Sequence, residues 1–237
     1  MKQPLIIACK DCQSQACFLK INGKSLNHTL IESKKIQTLY LQGEYIIHEN
    51  DPIHGLYFVG NGKVKIFSNG RDEIQQIVRL VQTGESLCFR GWGRTTYLTS
   101  SVALEDSRIC FFESKDFMQV CDISELSMHL ITYLGNELEL AEKRLKFLMQ
   151  MNVREKTAEA LLFIKKSFGT NNMNELDVYM SRKDIAAIAG TSEELIIRQL
   201  SEFEKEKLIE RRDHGSKIAL INETKLELMV SKYNILF

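Results

Sequence analysis

An α+β chain is expected: an N-terminal antiparallel β-roll, a long helix, and a C-terminal winged helix-turn-helix. Three observations in the 237-residue sequence predict it. Short strand-like runs separated by glycine turns fill 35–112, which suits a jelly roll or barrel closed by antiparallel pairing. Apolar residues recur three and four apart over 124–151, the pattern of a helix with a heptad seam. Two short amphipathic patterns flank Gly190, as in two helices joined by a tight turn. The corresponding divisions are 1–30, a cysteine-bearing segment; 31–123, the roll; 124–152, the long helix; and 153–237, the winged domain.

Residues 1–30 read as irregular and carry Cys9, Cys12 and Cys17. Ile36-Gln-Thr-Leu-Tyr-Leu41 alternates as a half-buried strand does, and Gly43-Glu-Tyr-Ile-Ile-His48 follows a turn. The run Gly55-Leu-Tyr-Phe-Val-Gly-Asn-Gly62-Lys-Val-Lys-Ile-Phe67 reads as a hairpin, with Asn-Gly at its turn. A strand over 72–80 continues it after a second Asn-Gly at 69–70. Strands at 99–103 and 107–112 would close the roll.

In the helical stretch, Ile131, Leu134, Leu138, Ala141, Leu145 and Leu148 form an a/d seam. A helix between two domains has no core of its own, so a second copy of the chain is the expected partner. A helix over 155–168 and a polar loop at 171–174 follow. Ser181 is a good N-cap for a helix that buries Ile185, Ala186 and Ile188. The next helix starts at Thr191 or Ser192 and buries Leu195, Ile196, Leu200 and Phe203. Two strands around a turn over 208–221 form the wing. The second helix of such a motif enters the DNA major groove, and paired copies match a pseudo-palindromic site.

Bulk charge gives no help here. The 31 basic and 31 acidic residues cancel, so attraction to phosphate has to be local. Arg182, Lys183, Arg198, Arg211, Arg212 and Lys217 are the candidates. No apolar run approaches the length of a membrane-spanning helix and no export signal stands out, so a cytoplasmic protein without a membrane partner is expected. In that compartment the six cysteines are ligands or free thiols rather than disulfides. Cys88 and Cys121 read as small buried apolar residues. No nucleophile–base pair or phosphate-cradling glycine loop stands out. His48 and His54 flank Asp51 as surface turn residues do, so an enzyme is not expected.

The order of roll, long helix and winged helix-turn-helix resembles the Crp/Fnr family of bacterial transcription regulators over nearly the whole chain. Gly55-Leu-Tyr-Phe-Val-Gly-Asn-Gly-Lys-Val-Lys65 resembles the family's strand pair, and Val81-Gln-Thr-Gly84-Glu85 its turn before the effector loop. The resemblance implies a cyclic-nucleotide-binding-like roll, a homodimer, double-stranded DNA with a pseudo-palindromic site, and RNA polymerase as a partner. It places Glu194 and Arg198 on the recognition helix, four residues apart and so on one face. Arg198 would then take a guanine edge and Glu194 a cytosine amino group, pairings that suit both chemistries. The implied DNA-facing set is Arg182, Ser192, Glu193, Glu194, Ile197, Arg198 and Lys217. The Fnr branch carries Ser where this chain has Ile197.

The effector end stays open between alternatives. Cys9-Lys-Asp-Cys12-Gln-Ser-Gln-Ala-Cys17 is a C-x2-C-x4-C run, one residue shorter than the Fnr spacing. Ala103-Leu-Glu-Asp-Ser-Arg-Ile-Cys110 resembles the segment in which Fnr-type sensors carry a fourth ligand. By that resemblance Cys9, Cys12, Cys17 and Cys110 would hold a 4Fe–4S cluster. Zinc, with His28 as a fourth ligand, or no metal at all are the other readings. A small-molecule effector would use Glu85, Arg90 and Trp92, with Arg94 nearby. The Arg-Ser-Ala of the cyclic-nucleotide cassette is replaced by Leu98-Thr-Ser-Ser-Val102, so cyclic AMP is not expected. A regulator that needs no ligand remains a further alternative.

Overall fold

A computed structural model describes residues 7–9, 11–12, 17, 28–70, 74–87, 94–120 and 123–233. Cys88, Arg90, Trp92 and Cys121 lie outside the described residues. The chain divides into two units, one of residues 1–68 with 79–137, the other of 69–78 with 138–237.

The first unit opens with α1 (His28–Lys34), which begins inside the stretch expected to be irregular. Strands β1 (Ile36–Tyr40), β2 (Tyr45–Ile47), β3 (Gly55–Asn61), β4 (Lys63–Asn69), β5 (Gln75–Gln82), β6 (Ser100–Ala103) and β7 (Ser107–Glu113) follow, then α2 (Ser114–Val120). They form a three-stranded sheet in the order β1-β7-β3 and a four-stranded sheet in the order β2-β6-β4-β5. This is the antiparallel jelly roll the glycine-punctuated strands predict. Alternation fixes which side chains turn inward: Val64 and Ile66 on β4, Phe58 on β3, Ile109 on β7. Phe58, Phe112 and Phe117 from β3, β7 and α2 meet with ring centroids 6.0–6.3 Å apart and anchor the roll's core.

One expectation is corrected. Gly55 to Phe67 is no hairpin, because β3 pairs with β7 in one sheet and β4 with β6 in the other. The register of β3 shifts between Val59 and Asn61, a bulge that bends the strand out of its sheet. Gly62 then takes φ 119° against Ser107, where a Cβ would lie 2.2 Å from the Ser107 hydroxyl. Asn61-Gly62 therefore turns the corner between sheets. The β4–β5 neighbours carry the other Asn-Gly, with the Gly70 N–H donating to Ile74 O at 2.9 Å. β5 begins at Gln75, and residues 72–73 of the expected strand lie outside the described residues.

The long helix α3 (Ile123–Leu148) runs through the division between the units. Its expected seam faces outward along one stripe: Ile131, Leu138 and Leu145 are 62%, 59% and 66% exposed. Leu134 and Ala141 are also exposed, and Leu148 is half-buried. On other faces, Tyr133, Glu137 and Phe147 are half-buried and Arg144 is buried.

The second unit contains α4 (Val153–Phe168), α5 (Arg182–Ala189), α6 (Glu193–Lys205), β8 (Ile209–Arg212), β9 (Lys217–Leu220) and α7 (Glu223–Val230). Asn152 caps α4 in a reciprocal box with Glu155, and Ser181 caps α5 in the same way with Asp184. Such caps are each worth about 1 kcal/mol. Helix α4 is buried without a break over 157–164, so it is the central helix of this unit. Among the described residues, no helix is long and apolar enough to cross a membrane.

Candidate functional site

Helices α5 and α6 are set by local sequence. Ile185, Ile188 and Ala189 fill the core side of α5, and Gly190 closes it at φ 61°, ψ 49°. That left-handed conformation strains any residue with a Cβ and lets the chain turn within three residues. Ser192 then caps α6, its side chain accepting from Leu195 N–H. Ile196, Leu200 and Phe203 are fully buried; Leu195, expected in the core, is half-buried, and Gln199 is buried in its stead. Glu193, Glu194, Ile197 and Arg198 are exposed on the outward side of α6. The spacing therefore brings together four of the predicted DNA-facing residues.

The wing arranges the other cations differently. Strands β8 and β9 pair Arg211 with Ile218 and Arg212 with Lys217 around a turn at Asp213–Gly215. Arg211 grips Glu204 with its backbone N–H at 3.0 Å and its guanidinium at 2.5 and 2.9 Å. Arg212 donates to Glu210 and to the buried Glu175 at 3.3 Å. Lys217 lies 3.4 Å from Asp213 and 3.9 Å from Glu175. Arg182 is half-buried, with its guanidinium donating to Gly215 O at 2.6 Å, so it ties the start of α5 to the wing turn. Lys183 and Arg198, by contrast, are exposed and hold no ion pair among the described residues.

The cysteine end is built on β1, β3 and β7. Cys9, Cys12, Cys17 and Cys110 are all free thiols. Gln37 on β1 spans the two parts: its carbonyl accepts from Ile7 N–H at 2.8 Å and its amide donates to Cys110 Sγ at 3.3 Å. Lys35 donates to Ile7 O at 2.8 Å and Cys9 Sγ at 3.3 Å, and pairs with Glu32 at 2.9 Å. The Cys9 N–H donates to Glu32. Cys12 Sγ donates to Gly60 O at 3.9 Å, and a Cβ on Gly60 would lie 3.1 Å from Cys110 Sγ. Cys12 and Cys17 thus lie near enough to Cys110 to influence it, and Cys9 is held by Glu32 and Lys35. Burial pushes the Cys9 thiol up to about 12 and that of Cys110 up as well, with Glu32 adding to the shift at Cys9 and Lys35 opposing it at both. Among the described residues, no three His, Cys, Asp or Glu side chains converge as a preformed metal site.

Comparison with known proteins decides the family. Residues 37–124 match the cyclic nucleotide-binding domain, and residues 155–229 match the Crp-like helix-turn-helix domain. The chain belongs to the Crp/Fnr family of transcription regulators. It is 25% identical to electron transport regulator A of Shewanella oneidensis, across 97% of this chain and 92% of that protein. It is 26% identical to the fumarate and nitrate reduction regulatory protein of Escherichia coli, across 84% of this chain and 81% of that one. Among solved structures, FixK2 of Bradyrhizobium japonicum shares the fold with a TM-score of 0.72 at 20% identity, covering 82% of this chain and 96% of that chain. This Crp/Fnr chain is accordingly a transcription regulator that binds DNA through its helix-turn-helix.

Within the Crp/Fnr fold, two polar clusters escaped the sequence reading. On the roll, Arg79 of β5 pairs with Glu137 of α3 at 2.7 Å and donates to Tyr133 at 2.6 Å. Glu85, the one described member of the proposed effector set, lies close enough to feel both charges. Burial pushes its carboxyl up; Gln82 N–H and Arg79 pull the other way. In the second unit, Arg144 of α3 donates to Glu159 of α4 at 3.1 and 3.4 Å and to Ile188 O of α5 at 3.3 Å. Its guanidinium lies 4.0 Å from the centre of the Phe163 ring. The signal for this pair was present: Glu159 is a lone acid in the apolar run Ala158-Glu-Ala-Leu-Leu-Phe-Ile164.

Proposed function

We propose that this regulator works as a homodimer on a pseudo-palindromic DNA site, with Arg198 reading a guanine edge and Glu194 a cytosine amino group in each half. The observation that carries this reading is the exposed outward side of α6. There Glu194 and Arg198 stand four residues apart, and Arg198 has no acid holding it among the described residues. A guanidinium free of internal pairs can make the bidentate contact to guanine O6 and N7. Lys183 on α5, exposed and without an ion pair among the described residues, is offered for phosphate contact, while Lys217 faces Asp213 and Glu175 and Arg182 acts by holding the wing turn. Arg198→Ala is expected to weaken specific binding by about 1–3 kcal/mol and to relax base choice at one position per half-site. Titrations against matched and base-substituted duplexes check it; an unchanged preference would reduce Arg198 to a phosphate contact.

The homodimer is supported by the outward stripe of Ile131, Leu134, Leu138, Ala141 and Leu145 on α3, which a second copy would cover. The cytoplasm is the compartment that suits DNA, and RNA polymerase is the partner a regulator of this family would engage.

For the effector, the favoured reading is redox sensing through an iron–sulfur cluster held by Cys9, Cys12, Cys17 and Cys110. The donor set suits such a group in kind: Cys9, Cys12, Cys17 and Cys110 are free thiols, and Cys12 Sγ reaches Gly60 O, beside Cys110. The relatives' names, an electron transport regulator and a fumarate and nitrate reduction regulator, point the same way. A bound cluster would supply a redox-labile group. The chain's own residues do the positioning: Gln37 and Lys35 hold Ile7, Lys35 also holds Cys9, and Gln37 orients the Cys110 thiol. Anaerobic reconstitution with ferrous iron and sulfide is expected to give about four irons per chain. Cys→Ser at any of the four should lower the yield, and Cys88→Ser and Cys121→Ser should not. A chain that takes up no iron, or loses none in these variants, would shift the reading to a small-molecule effector near Glu85. The match of 37–124 to the cyclic nucleotide-binding domain supports that alternative.

A further inference from the structure

Helix α6 carries one residue that neither the core nor the solvent explains. Its buried stripe is Ile196, Gln199, Leu200 and Phe203. Ile197 lies outside that stripe and is 44% exposed. As a β-branched residue it also gives up a little helix propensity against a straight-chain one. A lone exposed isoleucine elsewhere on a surface would call for no account. This one stands three residues after Glu194 and directly before Arg198, on the side of the helix proposed above to face base edges.

We infer that Ile197 is a specificity-determining residue that packs against a thymine methyl group in each half-site. The C5-methyl of thymine is the apolar group that base edges present in the major groove; the other positions there are hydrogen-bond donors and acceptors. An isoleucine pressed on those would leave them dehydrated and unpaired, which is costly. The same side chain therefore favours thymine and rejects a G·C pair at its position. The helix that presents it is capped at its start by Ser192, and Ile197 O accepts from Ser201 Oγ at 3.0 Å. The inference rests on the proposed role of α6 and deepens it, because it names a base that the Glu194–Arg198 pair does not read.

The test uses the full-length chain, prepared without oxygen, and duplexes that it enriches from a randomised library. Each thymine in turn is replaced by deoxyuridine, which removes the methyl group and keeps the base pairing. One position per half-site is expected to weaken binding about fourfold, the worth of one buried methyl group. The Ile197→Ala variant should be indifferent to that replacement and should keep its guanine preference. Wild-type binding unchanged at every deoxyuridine, or an Ile197→Ala variant that loses the same factor, would overturn the inference while leaving the guanine contact of Arg198 in place. Loss of guanine preference as well, or no enriched sequence at all, would instead remove the proposed role of α6 and the inference with it.

Discussion

Replacing Arg144 with methionine is expected to lower the unfolding free energy by about 3–5 kcal/mol. The reason is what the change leaves behind. Glu159 has no solvent exposure, and Arg144 is the charged group that compensates it. The variant also loses the donor to Ile188 O and the stacking on Phe163. Burial already pushes the Glu159 carboxyl up, and without the guanidinium it would rise further. A carboxyl whose folded pKa is raised contributes stability that is present below its unfolded pKa and lost as pH rises through the folded one. The deficit of the variant should therefore be larger at pH 8 than at pH 5. Urea unfolding at both pH values measures it. Adding Glu159→Met to Arg144→Met should recover most of the loss, since no buried charge remains. A single variant as stable as the parent, with no pH dependence, would show that the pair contributes nothing net.

A comparable effect is expected from Leu138→Glu or Leu145→Glu on self-association. Both residues lie on the exposed stripe of α3, and neither contributes to the buried core of a single chain. A twofold axis would put two carboxylates into the seam, each desolvated without a partner. Their combined cost, on the order of 4 kcal/mol, raises the dimer dissociation constant about a thousandfold. Sedimentation velocity across a concentration series should show monomers with unchanged secondary structure. DNA titrations should show the loss of binding that depends on paired half-sites. If both variants remain dimeric, the stripe is not the seam.

How much of this was legible depended on how local each feature is. Ser181, Gly190 and Ser192 announce the helix-turn-helix, because caps and a left-handed turn are decided by a few neighbouring residues. The seam on α3 shows because periodicity survives without knowledge of the partner. Asn61-Gly62 misled because a turn signal says where the chain reverses and not which strand it then pairs with; β3 and β4 find β7 and β6, with partners such as Asn61 and Arg108 or Val64 and Ala103 far apart in sequence. Which of the candidate cations pair within the chain was not legible for the same reason. Arg198 stays exposed, but Arg211 and Arg212 are claimed by Glu204, Glu210 and Glu175, acids that only the tertiary fold brings to them. Cys9, Cys12 and Cys17 declared themselves by spacing. The ties of Cys9 to Glu32 and Lys35, and of Cys110 to Gln37, did not, since nothing in a Lys or Gln marks what it will hold.

The internally paired wing bears on how the molecule finds its site. Sequence-independent attraction to a duplex comes from cations that displace condensed counterions, and it sets how long a protein lingers on DNA it does not recognise. With Arg211, Arg212 and Lys217 already facing carboxylates, the wing has little such currency to offer. Residence on random sequence would be brief, and the search would proceed by hopping through solution more than by sliding along the duplex. In a chain whose total charge is balanced, occupancy of a specific site would then depend on Lys183 and on the base contacts proposed for α6.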